Sequence, residues 1–203
     1  TDPQVLTYAS NFLPWFGTLA EAEHNAEQLL SLDPLNSASW ISRSQTFLAS
    51  GRFEQAAEAA RKGLELAPEN HSAMNMVALV LAAMGRYDEA VAAIGNYAPL
   101  KFWAHLLRAI RAFRGGDIAI GERHLAAIKT QYDDKFSYHY SQIYAQAGRI
   151  DEAFAALDTA SKIKGTRLNI TMRDPMLRPL HGDPRFRALL HRLDFPVIDP
   201  QFA

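Results

Sequence analysis

Apolar positions along most of this chain recur with helical rather than strand spacing. In FEQAAEAARKGLEL (residues 53–66), Phe53, Ala56, Ala57, Ala60, Leu64 and Leu66 mark one face of a helix. The preceding run from Trp40 is a second apolar, alanine-rich stretch of similar length, and Gly51-Arg52 separates the two. A glycine there can take the left-handed conformation of a helix C-cap. The acids just after such glycines (Glu54, Asp88, Glu89, Asp151, Glu152) fall in the first turn of the next helix, where its dipole favours them. Pro34 and Pro68 stop the helices before them. Near the end, Asp183-Pro184 reads as an N-cap and first helical position, and Phe186, Leu189, Leu190 and Leu193 give a last amphipathic helix over about 183–194.

The punctuation is periodic. Gly17, Gly51 and Gly85 stand 34 residues apart, as do Pro34 and Pro68. Counting from Ser37, Trp40 is position 4, Phe47 position 11, Gly51 position 15, Phe53 position 17, Ala56 position 20 and Pro68 position 32. This pattern resembles the tetratricopeptide repeat, a helix-turn-helix of 34 residues. Arg43, Ser44 and Gly63 depart from it. The same frame fits units at about 3–36, 37–70, 71–98, 102–133 and 134–165, the fourth being the most degenerate. The resemblance implies an all-α superhelical solenoid of about five hairpins over 1–165. Residues 166–203 would be a Pro-rich connection and capping helix on the same domain, covering the end of the array.

MRDPMLRPLHGDPRFRALLHRLDFP (172–196) also resembles a tail that ends bacterial tetratricopeptide regions fused behind winged-helix regulators, class III adenylate cyclases or protein kinases. That resemblance, and a first residue that is Thr rather than Met, leads us to expect the C-terminal part of a larger protein.

Composition narrows the function classes. Apolar residues form 48% of the 203, which is against general disorder, and the net charge of -1 argues for neither nucleic acid nor membrane. No apolar run approaches membrane-spanning length. There is no cysteine, which excludes disulfides and thiolate metal sites and leads us to expect a cytoplasmic protein. Charge is uneven. Residues 1–36 hold five acids and no Lys or Arg, whereas residues 162–192 hold eight bases against Asp174 and Asp183. A head-to-tail contact between copies is one consequence to test.

Candidate chemistry is sparse. The seven histidines (24, 71, 105, 124, 139, 181, 191) form no HExxH pair. GGDIAIGERH (115–124) lacks the GK[ST] of a phosphate loop and comes after a helical run, so it reads as a hairpin turn. No GxSxG is present, and Asp133-Asp134 reads as a solvated loop. No nucleophile, metal or acid–base set emerges, so the expectation is a non-enzymatic protein without cofactor.

The resemblance implies a concave groove lined by the first helix of each unit. The groove positions fall on Asn11 and Trp15, then Ile41 and Gln45, then Asn75 and Leu79, then Trp103, Leu106, Ile110 and Phe113, then Tyr138 and Gln142. Thr7, Leu48, Arg114, Lys135 and Gln146 occupy further groove positions. Such a groove would bind a peptide, a partner protein or the attached upstream domain. Trp103, Leu106, Phe113 and Tyr138 would form a hydrophobic patch within it. The carboxylate clamp of chaperone-binding members is missing: only Asn11 survives among Thr7, Asn11, Ser42, Ser72 and Met76. The alternative function is a sensory or dimerisation domain of a bacterial transcription regulator or cyclase. Neither nucleic-acid binding nor membrane insertion is expected.

Overall fold

The computed structural model describes residues 6, 9, 12–15, 17–95, 97–163 and 167–195. These residues contain helices and no strand. None of the helices is long and apolar enough to cross a membrane. The chain divides into two compact units, residues 1–100 and 101–203.

In the first unit, residues 12–15 are helical. After them come α1 (Leu19–Leu32), α2 (Ser37–Ala49), α3 (Phe53–Leu66), α4 (His71–Ala83), α5 (Tyr87–Ile94) and a 3-10 turn at Ala98–Leu100. Local sequence explains the boundaries. Thr18 caps α1 and Glu21 answers it in a reciprocal capping box, while Asn36 and Asn70 accept from the first amides of α2 and α4. Gly51 and Gly85 have φ of 74° and 78°, a region other residues rarely enter, and they let each hairpin reverse at once. The arginine after Gly51 has its own task. The Arg52 guanidinium lies over the Phe47 ring at 4.6 Å and pairs with Glu23 of the preceding hairpin. Small residues line the seam, with Ala56, Ala57, Ala60 and Gly63 buried on α3. A Cβ on Gly63 would sit 3.2 Å from the Ser37 carbonyl oxygen, so this departure from the repeat pattern lets α2 and α3 approach closely.

The second unit contains α6 (Lys101–Arg114), α7 (Ile118–Gln131), a 3-10 turn at Asp134–Phe136, α8 (Ser137–Gln146) and α9 (Ile150–Lys162). Two further 3-10 helices, Leu168–Arg173 and Pro175–Leu180, lead into α10 (Pro184–Arg192). Gly116 and Gly148 repeat the left-handed turn. Arg149 repeats the Arg52 arrangement, lying over Tyr144 at 4.7 Å and pairing with Glu122. Asp183 caps α10 as expected, accepting from the Arg185 amide at 2.9 Å, and Phe186, Leu189 and Leu190 are buried.

The tail extends the repeat. Arg185 pairs with Asp151 and Arg192 with Asp158, each 34 residues back, so α10 lies against α9 as a further second helix would. The 3-10 turn Pro175–Leu180 packs on α8, standing where the next first helix belongs. The stretch that reads in sequence as a connection is thus an abbreviated sixth repeat.

Candidate functional site

The predicted groove positions fare differently in the two units. In the first unit, Trp15, Ile41 and Leu48 are buried, while Gln45, Asn75 and Leu79 are half-buried. The side-chain oxygens Gln45 Oε1 and Asn75 Oδ1 are shielded from solvent and have no hydrogen-bond partner. They sit on α2 and α4, first helices of successive repeats that pack directly on each other. The hydroxyl of Ser42, one residue beyond Ile41, is unpaired in the same way. Asn11 and Thr7 lie outside the described residues.

In the second unit the positions are filled from within. Leu106, Ile110 and Tyr138 are fully buried and Phe113 nearly so, which corrects the expectation of an exposed apolar patch. The cause is packing on several sides of α6. Phe113 lies flat on Gly121, where a Cβ would come within 2.7 Å of its ring. Trp103 stacks edge-on to His139 and carries the Arg167 guanidinium at 5.3 Å. Tyr138 and Gln142 both donate to Asp174 Oδ2 at 2.7 Å, from the Tyr138 hydroxyl and Gln142 Nε2. Asp174 Oδ1 takes the Met176 amide at 2.9 Å, and Gln146 Nε2 donates to the Met176 carbonyl at 2.8 Å. One buried carboxylate thus joins α8 to the tail. Burial, then the nearby Asp174 charge, pushes the Tyr138 hydroxyl well above its ordinary pKa.

The large exposed apolar side chains among the described residues are Phe12, Leu32, Leu35, Ile118, Ile120 and Ile163. None is a predicted groove position. The basic tail is also engaged internally, through the Arg185 and Arg192 ion pairs and contacts at Arg173, Arg178 and Arg187. This leaves little free charge for a head-to-tail contact.

The histidines do not assemble a site. His105 and His124 meet at 3.0 Å between their Nδ1 atoms, and burial lowers both pKa values. No cluster of three or more metal-ligand side chains occurs among the described residues. His139 is 5% exposed among Phe102, Trp103, Phe136 and Tyr138, with neither ring nitrogen bonded. Burial, reinforced by Arg167, holds its pKa at about 3. A side chain so fixed as neutral imidazole is a core residue.

Sequence reasoning missed Asp174. The signal was present: Asp174-Pro175 repeats the Asp-Pro start of α10, and its side chain caps the 3-10 turn in the same way.

The hairpin geometry, the glycine turns and the arginine stacking agree with the comparison by family profile, in which tetratricopeptide repeats match residues 41–100 and 106–165, more than half the chain. The chain belongs to the tetratricopeptide repeat family. Repeats of this family are in general protein-interaction scaffolds. Among solved structures, a chain of the APC/C hetero-tetramer Cut9-Hcn1 superposes with a TM-score of 0.61 at 17% identity, over 90% of the present chain. The alignment spans 35% of that chain's length and shows a shared fold. No curated protein matches.

Proposed function

We propose that this tetratricopeptide chain is a non-enzymatic interaction scaffold that holds a polypeptide on the first unit, across Ile41, Gln45, Asn75 and Leu79. The observation that carries this is the pair of unpaired amide oxygens, Gln45 Oε1 and Asn75 Oδ1. A buried acceptor without a donor is costly, and a ligand's backbone N–H groups supply the missing donors. The matching positions of the second unit are already served by Asp174 and Met176, so they recruit nothing. A pre-ordered helical surface leaves most of the ordering cost with the ligand. The partner is a peptide, a protein surface or another domain of the same polypeptide.

The test is selection of a displayed peptide library on the chain, then affinity measurements on Gln45→Ala/Asn75→Ala at matched helicity. Each lost hydrogen bond costs about 1 kcal/mol, so the double variant should weaken selected peptides about 30-fold. Peptides that bind both proteins equally would place recognition elsewhere and end the proposal.

A further inference from the structure

A second hollow lies in the second unit, away from the groove positions. It occupies about 340 Å³ between α7 and α9, with α8 as its floor. Tyr140 and Tyr144 rise from α8, and Ala155, Ala156 and Thr159 form the α9 wall. The space exists because α9 presents two alanines where larger side chains would fill it. Its size is at the small end of ligand cavities.

The charges around it are unequally satisfied. Glu152 is paired with Arg149 at 2.7 Å, and Asp133 with Lys135 at 3.5 Å. Two lining groups have no ion-pair partner among the described residues: Lys129 on one side and Asp134 on the other. They are not within ion-pair distance of each other. Lys129 is nevertheless held in place. Its ammonium donates to the Tyr144 hydroxyl at 2.6 Å and lies 5.5 and 5.2 Å from the centres of the Tyr140 and Tyr144 rings. That leaves two of its three N–H bonds for an outside acceptor. Tyr140 cannot swing away, because its hydroxyl donates to the Tyr132 carbonyl and lies 3.1 Å from the Asp133 carbonyl. Those contacts fix the loop that carries Asp134. Ser137 is 3% exposed, lines the same space, and makes no side-chain hydrogen bond to the described residues.

We infer that this hollow binds a small zwitterion of the amino-acid or dipeptide class. The carboxylate meets Lys129 and the ammonium meets Asp134, with the ligand's side chain against the Tyr and Ala walls. A single anion would meet Asp134, Asp133 and Glu152 as repulsive neighbours, and a single cation would meet Lys129. Only a ligand carrying both signs satisfies the two unpaired groups together, and the aromatic walls favour an apolar or aromatic side chain.

The test is titration of the chain with each of the twenty L-amino acids and with diphenylalanine, at up to millimolar concentration, by calorimetry and by chemical shifts of the tyrosine rings. The expected result is saturable binding of at least one apolar or aromatic member, with shifts confined to Tyr140 and Tyr144. Lys129→Met and Asp134→Asn, both at exposed side chains, should each weaken it tenfold or more without changing helicity. The N-acetylated form of the bound ligand, which lacks the ammonium, and its amide, which lacks the carboxylate, should lose a similar factor. A dipeptide that outcompetes its free amino acids would assign the site to peptide termini, and the reverse order would assign it to free amino acids. No saturable binding by any member, or equal binding by the capped forms, or equal binding by both variants, overturns the inference. Loss of peptide binding in Gln45→Ala/Asn75→Ala would not affect this result, so the two proposals fail separately.

Discussion

The two units carry equivalent helices with opposite fates for their amide side chains. On α2 and α4, Gln45 and Asn75 end in unpaired oxygens. On α8, the amide nitrogens of Gln142 and Gln146 are bonded to the tail at Asp174 and Met176. The difference lies in the segment packed against each helix. The second unit carries 3-10 turns that lie on its last first-helix, and the tail's own polar groups satisfy that surface. A register position therefore states where a side chain stands on a helix, and the next element decides whether it is a site or a seam.

The strongest way to break the contrast is Asp174→Ala. It leaves the Tyr138 hydroxyl, the Gln142 amide and the Met176 N–H without their acceptor inside the fold. We expect a loss of about 4 kcal/mol from the second unit. Hydrogen exchange resolved by peptide should show it in 101–195 and leave 19–95 unchanged.

Acid should act on the same unit. His139 is neutral when folded, with a pKa of about 3, against about 6.5 when unfolded. Unfolding therefore takes up a proton as pH falls below 6.5, and stability drops until about pH 3. At pH 5 the loss is about 2 kcal/mol relative to pH 8. Urea melts at the two pH values should show it, and His139→Phe should remove most of the difference. An unchanged slope in that variant would assign the acid sensitivity to other groups.

Gly121→Ala forces the Phe113 ring to move and should cost about 1.5 kcal/mol, which Phe113→Leu in the same chain should partly restore. The smallest effects sharpen the comparison most. Gln142→Ala removes a satisfied donor and should cost about 1 kcal/mol. Gln45→Ala removes an unsatisfied acceptor, so thermal melts should shift by no more than about 0.5 kcal/mol in either direction.

Much of the fold was legible because its determinants are local. Each turn glycine, each Asp or Asn cap and each first-turn acid acts within a few residues, so the 34-residue frame located the helices from Leu19 to Lys162 and then α10. The groove was legible as a list of positions and not as a surface. Tyr138 lies 36 residues from Asp174, and nothing periodic links them. The 3-10 segments have neither helical spacing nor a fixed length, which is why residues 168–180 read as a connection. Leu106, Ile110 and Phe113 were misplaced for a related reason: α6 is apolar around more of its circumference than one neighbour could cover, and α7 and α8 both cover it. The pairing of Lys129 with Tyr144 joins two helices through a hydroxyl, a contact with no sequence signature.

The tail's ion pairs have a consequence for how such proteins lengthen. Arg185 and Arg192 reach back one repeat, to Asp151 and Asp158, and Phe186, Leu189 and Leu190 close over the same neighbour. The terminator thus reads only the last hairpin and is blind to how many precede it. A gene that duplicates residues 134–165 in tandem presents the tail with an identical docking face. Arrays of this kind can gain a unit in one step, without any new ending having to evolve.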